Sequence, residues 1–458
     1  MNFVFEKIVD ELPLNFTDCT DTNKSGIGRI TVSPVISTFL RTLRTEAHLY
    51  RDIVTKVKVL LQPPENERYI IPVGVAHSPH DWCGADKYKN GYNESYPDRK
   101  PLLAHLSEVY LKDMQDGKAF LLIDQTHEGY QTDWLWEWFH NVCNEYNIPV
   151  QQIIYVTGNM DCEKQYCAWA DGHNLIPRML VIPLPHFEHV VNEIAKSYDT
   201  GHLPPGVSEK RKLPNFEDHV QYKTQDSSKI SMFNVLQKRP RAYRLWLFKY
   251  LVDASLLEGN IVTMNKFEAD QTYFEGKKMS KEEVDELNKL LPLLPSENPP
   301  NYTSDNFEGS DGANYVLSLN DLTILDSWCT VISEASYGDH EGACFLSEKT
   351  FKPISCQQPF IIFGSKGSLA HLHNLGYKTF HPYIDESYDS LPTWQRLEAI
   401  TKEMKKLNAM SDQERLDWFK MLEPIVKHNF ENLQKRSVDY STILFSRLKN
   451  YIGEQNVQ

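Results

Sequence analysis

The chain has 458 residues, 41% hydrophobic and 12% aromatic, enough apolar material for two large packed domains and too much for a mainly disordered chain. Lysine and arginine number 48 against 62 aspartates and glutamates, a formal charge of -14, which argues against a general nucleic-acid coat or a binder of anionic membranes. The eight cysteines are scattered without a C-x-x-C pair, so reduced thiols in a cytoplasmic protein are expected, not a disulfide framework or a zinc ribbon.

The start, Met1 to Lys7, turns to charge at once, so no signal peptide is expected, and no apolar run reaches the length of a membrane span. Tyr69 to Ala76 reads as a buried strand, with Pro72 marking an edge or a bulge. His77, His80 and Cys83 follow at a spacing foreign to zinc sites; an acceptor-binding loop and a plain surface loop are both open readings. Phe120 to Asp124 is a second buried strand, ending on a carboxylate. Residues 131–146 read as a helix, and Ile153 to Asn159 as the next strand. Strand, helix and strand at this spacing form a βαβ unit, hence a parallel sheet with a right-handed crossover. Met179 to Pro183 extends the pattern. Trp134, Trp136, Trp138 and Trp169 could stack on sugars, but at helical spacing a core face is the default. Residues 1–228 are thus expected to form one α/β domain closed by a linker over 201–228.

The second domain is expected over 229–400. Phe233 to Leu236 reads as a strand, Tyr243 to Leu257 as a helix stopped by Gly259, and Ile261 to Met264 as another strand. Residues 266–309 hold 5 basic and 10 acidic side chains and read as an acidic insertion, with a capping box at Ser280 and Glu283. A helical segment over 401–458 closes the chain, its second helix opened by a box at Ser411 and Glu414.

Chemistry concentrates after Val331-Ile332-Ser333-Glu334. The text runs on through Ser347-Glu348-Lys349-Thr350-Phe351-Lys352 to the strand Pro359–Phe363. Ser347 suits a helix N-cap, and a helix N-terminus favours phosphate. Lys349 and Lys352 add charge on that turn, while Glu334 and Glu348 are acceptors suited to ribose hydroxyls. These residues propose a nucleotide-diphosphate pocket at the carboxyl ends of parallel strands. A solvated, capped helix start is the plainer alternative. Residues 227–250 carry six basic side chains and no acid. There Arg239 and Arg241 are expected to face the diphosphate and Arg244 to brace them; a basic surface patch is the alternative. The Gly364–Ser368 turn either approaches a nucleotide or is an ordinary strand–helix turn. The acidic, aromatic stretch Tyr383–Asp389 either grips sugar hydroxyls or is a surface loop.

Glu334, then Ser347-Glu348-Lys349, then Gln358-Pro359-Phe360-Ile361 resembles the donor-binding signature of fucosyltransferase-like glycosyltransferases. That signature reads Glu-Asn, Thr-Glu-Lys, a helix and a Val-Pro-Val strand. Here Ala335 stands for the Asn, Ser347 for the Thr, and Pro359-Phe360 for Pro-Val; these departures bear on the sugar more than on the fold. The match covers less than a tenth of the chain. The stretch Glu-Lys-Thr-Phe-Lys-Pro-Ile is also similar to glycosyltransferases of large viruses and phages, which would place the protein in the cytoplasm of an infected cell. The resemblance implies a GT-B architecture, two Rossmann-like α/β domains with parallel sheets and a helical C-terminal segment that packs back on the first domain. It implies transfer of a sugar, a hexose or a pentose, from a nucleotide-diphosphate sugar as co-substrate, with no other cofactor.

Transfer requires a stabilised leaving diphosphate, a deprotonated acceptor hydroxyl and exclusion of water. The chain has no Asp-x-Asp, so no metal is expected, and Arg239, Arg241 and Lys349 would do its electrostatic work. In an inverting reaction a carboxylate of the first domain serves as base: Glu128 on the loop after Phe120–Asp124, with Asp124 behind it, although Asp124 equally suits a structural cap. The acceptor stays open among a glycan, a protein, a lipid-linked sugar and a modified DNA base of a phage; oligomeric state also stays open. A non-catalytic nucleotide-sugar-binding scaffold is the alternative outside enzymes.

Overall fold

The computed structural model describes residues 2–4, 58–60, 63–74, 103, 106–126, 129, 133–200, 213–237, 241–264, 266–267, 272–294, 321–335, 337 and 344–454. The chain packs as two units, Met1–His186 with Val438–Gln458, and Phe187–Ser437. The sequence reading sets its boundaries at 228 and 400; the packing divides the chain between His186 and Phe187 and again after Ser437. Both units are α/β, and all their strands are parallel.

The first sheet has six strands: β1 (Asn2–Val4), β2 (Lys58–Leu60), β3 (Tyr69–Gly74), β4 (Ala119–Gln125), β5 (Ile153–Thr157) and β6 (Leu180–Pro183), in the order β2-β1-β3-β4-β5-β6. β4 is buried along its whole length, as the uninterrupted apolar run of a strand covered on both faces requires. Pro72 lies in an interior strand, not an edge strand. β1 pairs only with Tyr69 and Ile70, so the proline's missing N–H falls beyond β1's end while Leu122 of β4 pairs it on the other side.

One face of this sheet is covered by α1 (Glu108–Gln115), α2 (Asp133–Glu145) and α3 (Cys162–Gly172), through Tyr110, Met114, Trp136, Trp138, Phe139 and Tyr166. Trp136 and Trp138 are therefore core residues. The other face, Ile70, Phe120, Leu122, Ile154, Val156 and Ile182, is covered by Leu444 and Leu448 near the end of the last helix. Tyr451 there donates to the carbonyls of Gln151 (3.0 Å) and Arg178 (3.1 Å).

The second unit opens in α4 (His186–Thr200), from Phe187 on. Its buried Glu188 is gripped by Arg436 Nε at 2.6 Å and by the Tyr377 hydroxyl. The expected linker over 201–228 contains α5 (Phe216–Gln225), capped reciprocally by Asn215 and Asp218. Its polar text conceals a buried face, Phe216, His219 and Lys223, at helical spacing.

The second sheet holds β7 (Ser231–Leu236), β8 (Ile261–Thr263), β9 (Ser327–Ser333) and β10 (Phe360–Phe363), in the order β10-β9-β7-β8. Around it lie α6 (Ala242–Asp253), α7 (Lys281–Leu290), α8 (Asp321–Leu325), α9 (Glu348–Ser355), α10 (Ser368–Asn374), α11 (Thr393–Asn408), α12 (Asp412–Met421) and α13 (Glu423–Glu454). The boxes at Ser280/Glu283 and Ser411/Glu414 both form with reciprocal bonds. Among the described residues no helix is long and apolar enough to cross a membrane.

Lys223 is fully buried. Its ammonium donates to Leu325 O at 2.7 Å and to His219 Nδ1 at 3.2 Å, over the rings of Trp328 and Phe419. His219 Nε2 donates to Cys356 O at 2.8 Å. Burial pulls Lys223 down to about 7, against a weaker upward pull from Asp326. Burial, with Lys223 beside it, also pulls His219 well down. From about pH 7 up to the unfolded lysine value, the unfolded chain holds a proton the folded chain lacks, so this group favours folding increasingly as pH rises. Relative to Lys223→Met, the wild type should gain about 2 kcal/mol of unfolding free energy between about pH 7.5 and about pH 9. Urea titrations at both pH values check this, and a pH-independent difference contradicts it.

Candidate functional site

The residues singled out in the second unit meet at the carboxyl ends of β7 and β9. β9 ends at Ser333, and Glu334 follows it fully buried. One Glu334 carboxylate oxygen accepts from Ser347 N at 3.1 Å and from the Thr350 hydroxyl, the other from Ala335 N at 3.0 Å. Glu334 thus pins the first turn of α9 to the strand end. The side chain expected to meet ribose hydroxyls is fully buried and takes three hydrogen bonds from the protein itself.

Ser347 is the N-cap of α9, its hydroxyl accepting from Lys349 N at 3.3 Å. Glu348 is nearly buried and pairs with Lys349 Nζ at 2.6 Å. Burial pushes the Glu348 carboxyl up, but Lys349 and then Lys352 outweigh it, so the net shift is downward and the carboxylate stays ionised. Burial pulls Lys352 down to about 8, opposed by Glu348 and reinforced by Lys349.

Arg241, Tyr243 and Arg244 bond to the same strand end. Arg241, the N-cap residue of α6, donates to Ala335 O. Tyr243 donates to Glu334 O at 2.6 Å, and Arg244 to the carbonyls of Ser333 and Glu334, both at 3.3 Å. Arg244 is nearly buried. Burial lowers its guanidinium pKa, Tyr243 opposes, Arg241 adds to the lowering, and the charges of Glu334 and Glu348 resist it. Among the described residues, Arg241, Arg244, Lys349 and Lys352 gather near the carboxylates of Glu334 and Glu348. Such a cluster suits a compact anion. Arg239 lies outside the described residues.

Gly364 follows β10 against Glu334. A Cβ there would meet Ile362 at 3.0 Å, Ser368 Oγ at 3.1 Å and Glu334 Cβ at 3.3 Å, so any side chain would push these neighbours back by a few tenths of an ångström. Gly367 supplies the left-handed residue (φ 83°) that opens α10. The Tyr383–Asp389 stretch does structural work: Glu386 accepts from Phe380 N (2.6 Å) and His381 N (3.2 Å), and Asp389 accepts from Leu369 N at 3.0 Å. A cleft of ≈ 650 Å³ beside it is lined by His373, Lys378, Thr379, His381, Asp385 and Glu386.

In the first unit Asp124 is buried at the end of β4. One oxygen accepts from Thr126 N (3.0 Å) and Oγ1 (2.8 Å), closing the turn, and the other has no partner among the described residues. Glu128 lies outside the described residues, as do His77, His80 and Cys83. Sequence reading missed Tyr243 and Thr350. Each carried only a spacing signal, Tyr243 two residues past Arg241 and Thr350 three past the Ser347 cap.

No protein-family model matches the chain, and no curated protein matches it. Among solved structures it is similar to an alpha,alpha-trehalose 6-phosphate synthase of Burkholderia multivorans, at 9% identity, over 92% of this chain and 75% of that one, with a TM-score of 0.42. It is similar to an alpha1,3-fucosyltransferase at 10% identity, over 94% and 81%, with a TM-score of 0.30. An E. coli trehalose-6-phosphate structure bound with UDP-2-fluoro glucose aligns at 9% identity, over 96% and 99%, with a TM-score of 0.35. Likenesses this low assign the chain neither a family nor an activity.

Proposed function

We propose that the chain is a glycosyltransferase of GT-B architecture that moves a hexosyl or pentosyl group from a nucleotide-diphosphate sugar to an acceptor hydroxyl, by inversion and without a metal. The observation that supports this is the gathering of Arg241, Arg244, Lys349 and Lys352 where β7 and β9 end and α9 begins, the place where open parallel sheets bind phosphorylated ligands. In this reading Arg241, with Arg239, and Lys349 contact the diphosphate. Lys352 adds charge, Arg244 braces the strand end, Glu348 accepts from a ribose hydroxyl, and Ser347 with Glu334 holds α9 in place.

The acceptor oxygen attacks the anomeric carbon while the bond from that carbon to the diphosphate breaks. The bonding pair leaves with the diphosphate, where the cations stabilise it. In this reading the acceptor proton passes to the carboxylate of Glu128, with Asp124 behind it. The protein acts in the cytoplasm, and its acceptor is a glycan, a protein, a lipid-linked sugar or a modified DNA base.

The test is slow hydrolysis of UDP-glucose and GDP-fucose without acceptor. Wild type should release nucleoside diphosphate, and Glu128→Gln should lower the rate by at least about 100-fold. Binding without release in the wild type would mark a non-catalytic scaffold.

A further inference from the structure

At the same strand ends lie polar groups that the roles above leave unused. Gln237, the residue after β7, is 2% exposed, and neither its side-chain Nε2 nor its Oε1 has a hydrogen-bond partner among the described residues. Ser333, the last residue of β9, is also 2% exposed, and its Oγ has none either. The two belong together. Phe233 pairs with Cys329 and Asn234 with Thr330, where the β7–β9 pairing ends; the same register, carried three residues further, puts Gln237 level with Ser333 on one face. Phe363, paired with Ser333 on the far side, lies on that face too, its ring 6.1 Å from that of Tyr243. The Gln237 backbone is meanwhile satisfied, its N–H donating to Thr263 Oγ1 at 3.0 Å. The strand end is therefore well formed while its amide and hydroxyl stand idle.

Buried polar groups without partners oppose folding and are rare in native proteins. Two of them stand at the carboxyl ends of adjacent parallel strands, one on the residue whose carbonyl accepts from Arg244, where a parallel sheet takes its ligands. Their chemistry narrows the choice. A carboxamide and a hydroxyl each donate and accept, and neither is charged. They do not match a phosphate, which the cations beside them serve.

We propose that Gln237 and Ser333 form a neutral hydrogen-bonding notch that reads an uncharged group of the ligand presenting a donor beside an acceptor, the shared chemistry of a nucleobase amide edge and of adjacent sugar hydroxyls. This rests on the nucleotide-sugar reading of the site and adds a specificity element to it.

The test sets ligand affinity against stability of the free protein. Titration calorimetry with UDP, GDP, UDP-glucose and GDP-fucose is run on wild type, Gln237→Met and Ser333→Ala, with melting temperatures taken without ligand. Gln237→Met should bind the preferred ligand about 10-fold more weakly, Ser333→Ala several-fold more weakly, and both should melt at or above the wild-type temperature, because an idle buried polar group has been removed. Weakening already seen with UDP or GDP assigns the notch to the base; weakening seen only with the sugar nucleotides assigns it to the sugar. Unchanged affinity in both variants overturns the notch and leaves the nucleotide-sugar site standing. Affinity lost in step with a lowered melting temperature also overturns it, since the pair then only braces the strand ends. A wild type that binds none of the four ligands overturns both readings together.

Discussion

Replacing Glu334 with alanine lowers the unfolding free energy of the second unit by about 3–5 kcal/mol. The side chain is fully buried and takes bonds from Ser347 N, Thr350 Oγ1 and Ala335 N. Its removal strands three donors inside the protein, leaves a cavity, and deprives the nearby Arg244 of a countercharge. Glu334→Gln keeps the volume but offers one acceptor oxygen where two now work, so it should cost about 2 kcal/mol. Because Glu334 joins the end of β9 to the first turn of α9, ligand affinity should fall with stability in both variants. Urea denaturation of the full chain checks this, and an unchanged midpoint for Glu334→Ala contradicts it.

Lys349→Ala should weaken nucleotide-sugar binding by about 10- to 100-fold, the loss of a charge-assisted contact in a partly enclosed site. Lys349 also neutralises Glu348 at 2.6 Å. Without the ammonium, Glu348 keeps only Lys352 against the burial that pushes its carboxyl up, and the charge it retains repels the incoming diphosphate, adding to the lost attraction. Glu348→Gln separates the two effects. It removes the repulsion, so Glu348→Gln with Lys349→Ala should bind more tightly than Lys349→Ala alone.

Rules that act over a few residues made much of this structure legible in the sequence. β4 and β5 were visible because strands buried on both faces need unbroken apolar runs. The Ser280, Ser411 and Ser347 caps were visible because a cap and the N–H it accepts from lie within one turn. α5 was not, because its buried face consists of Phe216, His219 and Lys223, and two of these three count as polar in any composition. The helix expected to open at the Ser411 box ends at Met421, and another runs from Glu423 to Glu454. The spacing of Ser347, Glu348 and Lys349 marked the start of α9, where the Ser347 cap forms. The inward role of Glu334 depended on partners 13 and 16 positions away, Ser347 and Thr350, and the idle amide of Gln237 depended on an adjacent strand. Neither leaves a periodic trace.

The most direct measurement of the central claim, that the carboxyl ends of β7 and β9 with the start of α9 form a nucleotide-sugar site, is calorimetric titration of UDP-glucose and GDP-fucose into three proteins: wild type, Lys349→Ala and Lys229→Ala. Lys229 is an exposed lysine paired with Asp226 ahead of β7, at the opposite end of that strand, and it controls for lost charge alone. The wild type and Lys229→Ala should bind one of the two ligands with affinities within about twofold of each other, and Lys349→Ala about 10- to 100-fold more weakly. Equal affinity in all three proteins, or no binding of either ligand by the wild type, would contradict the claim.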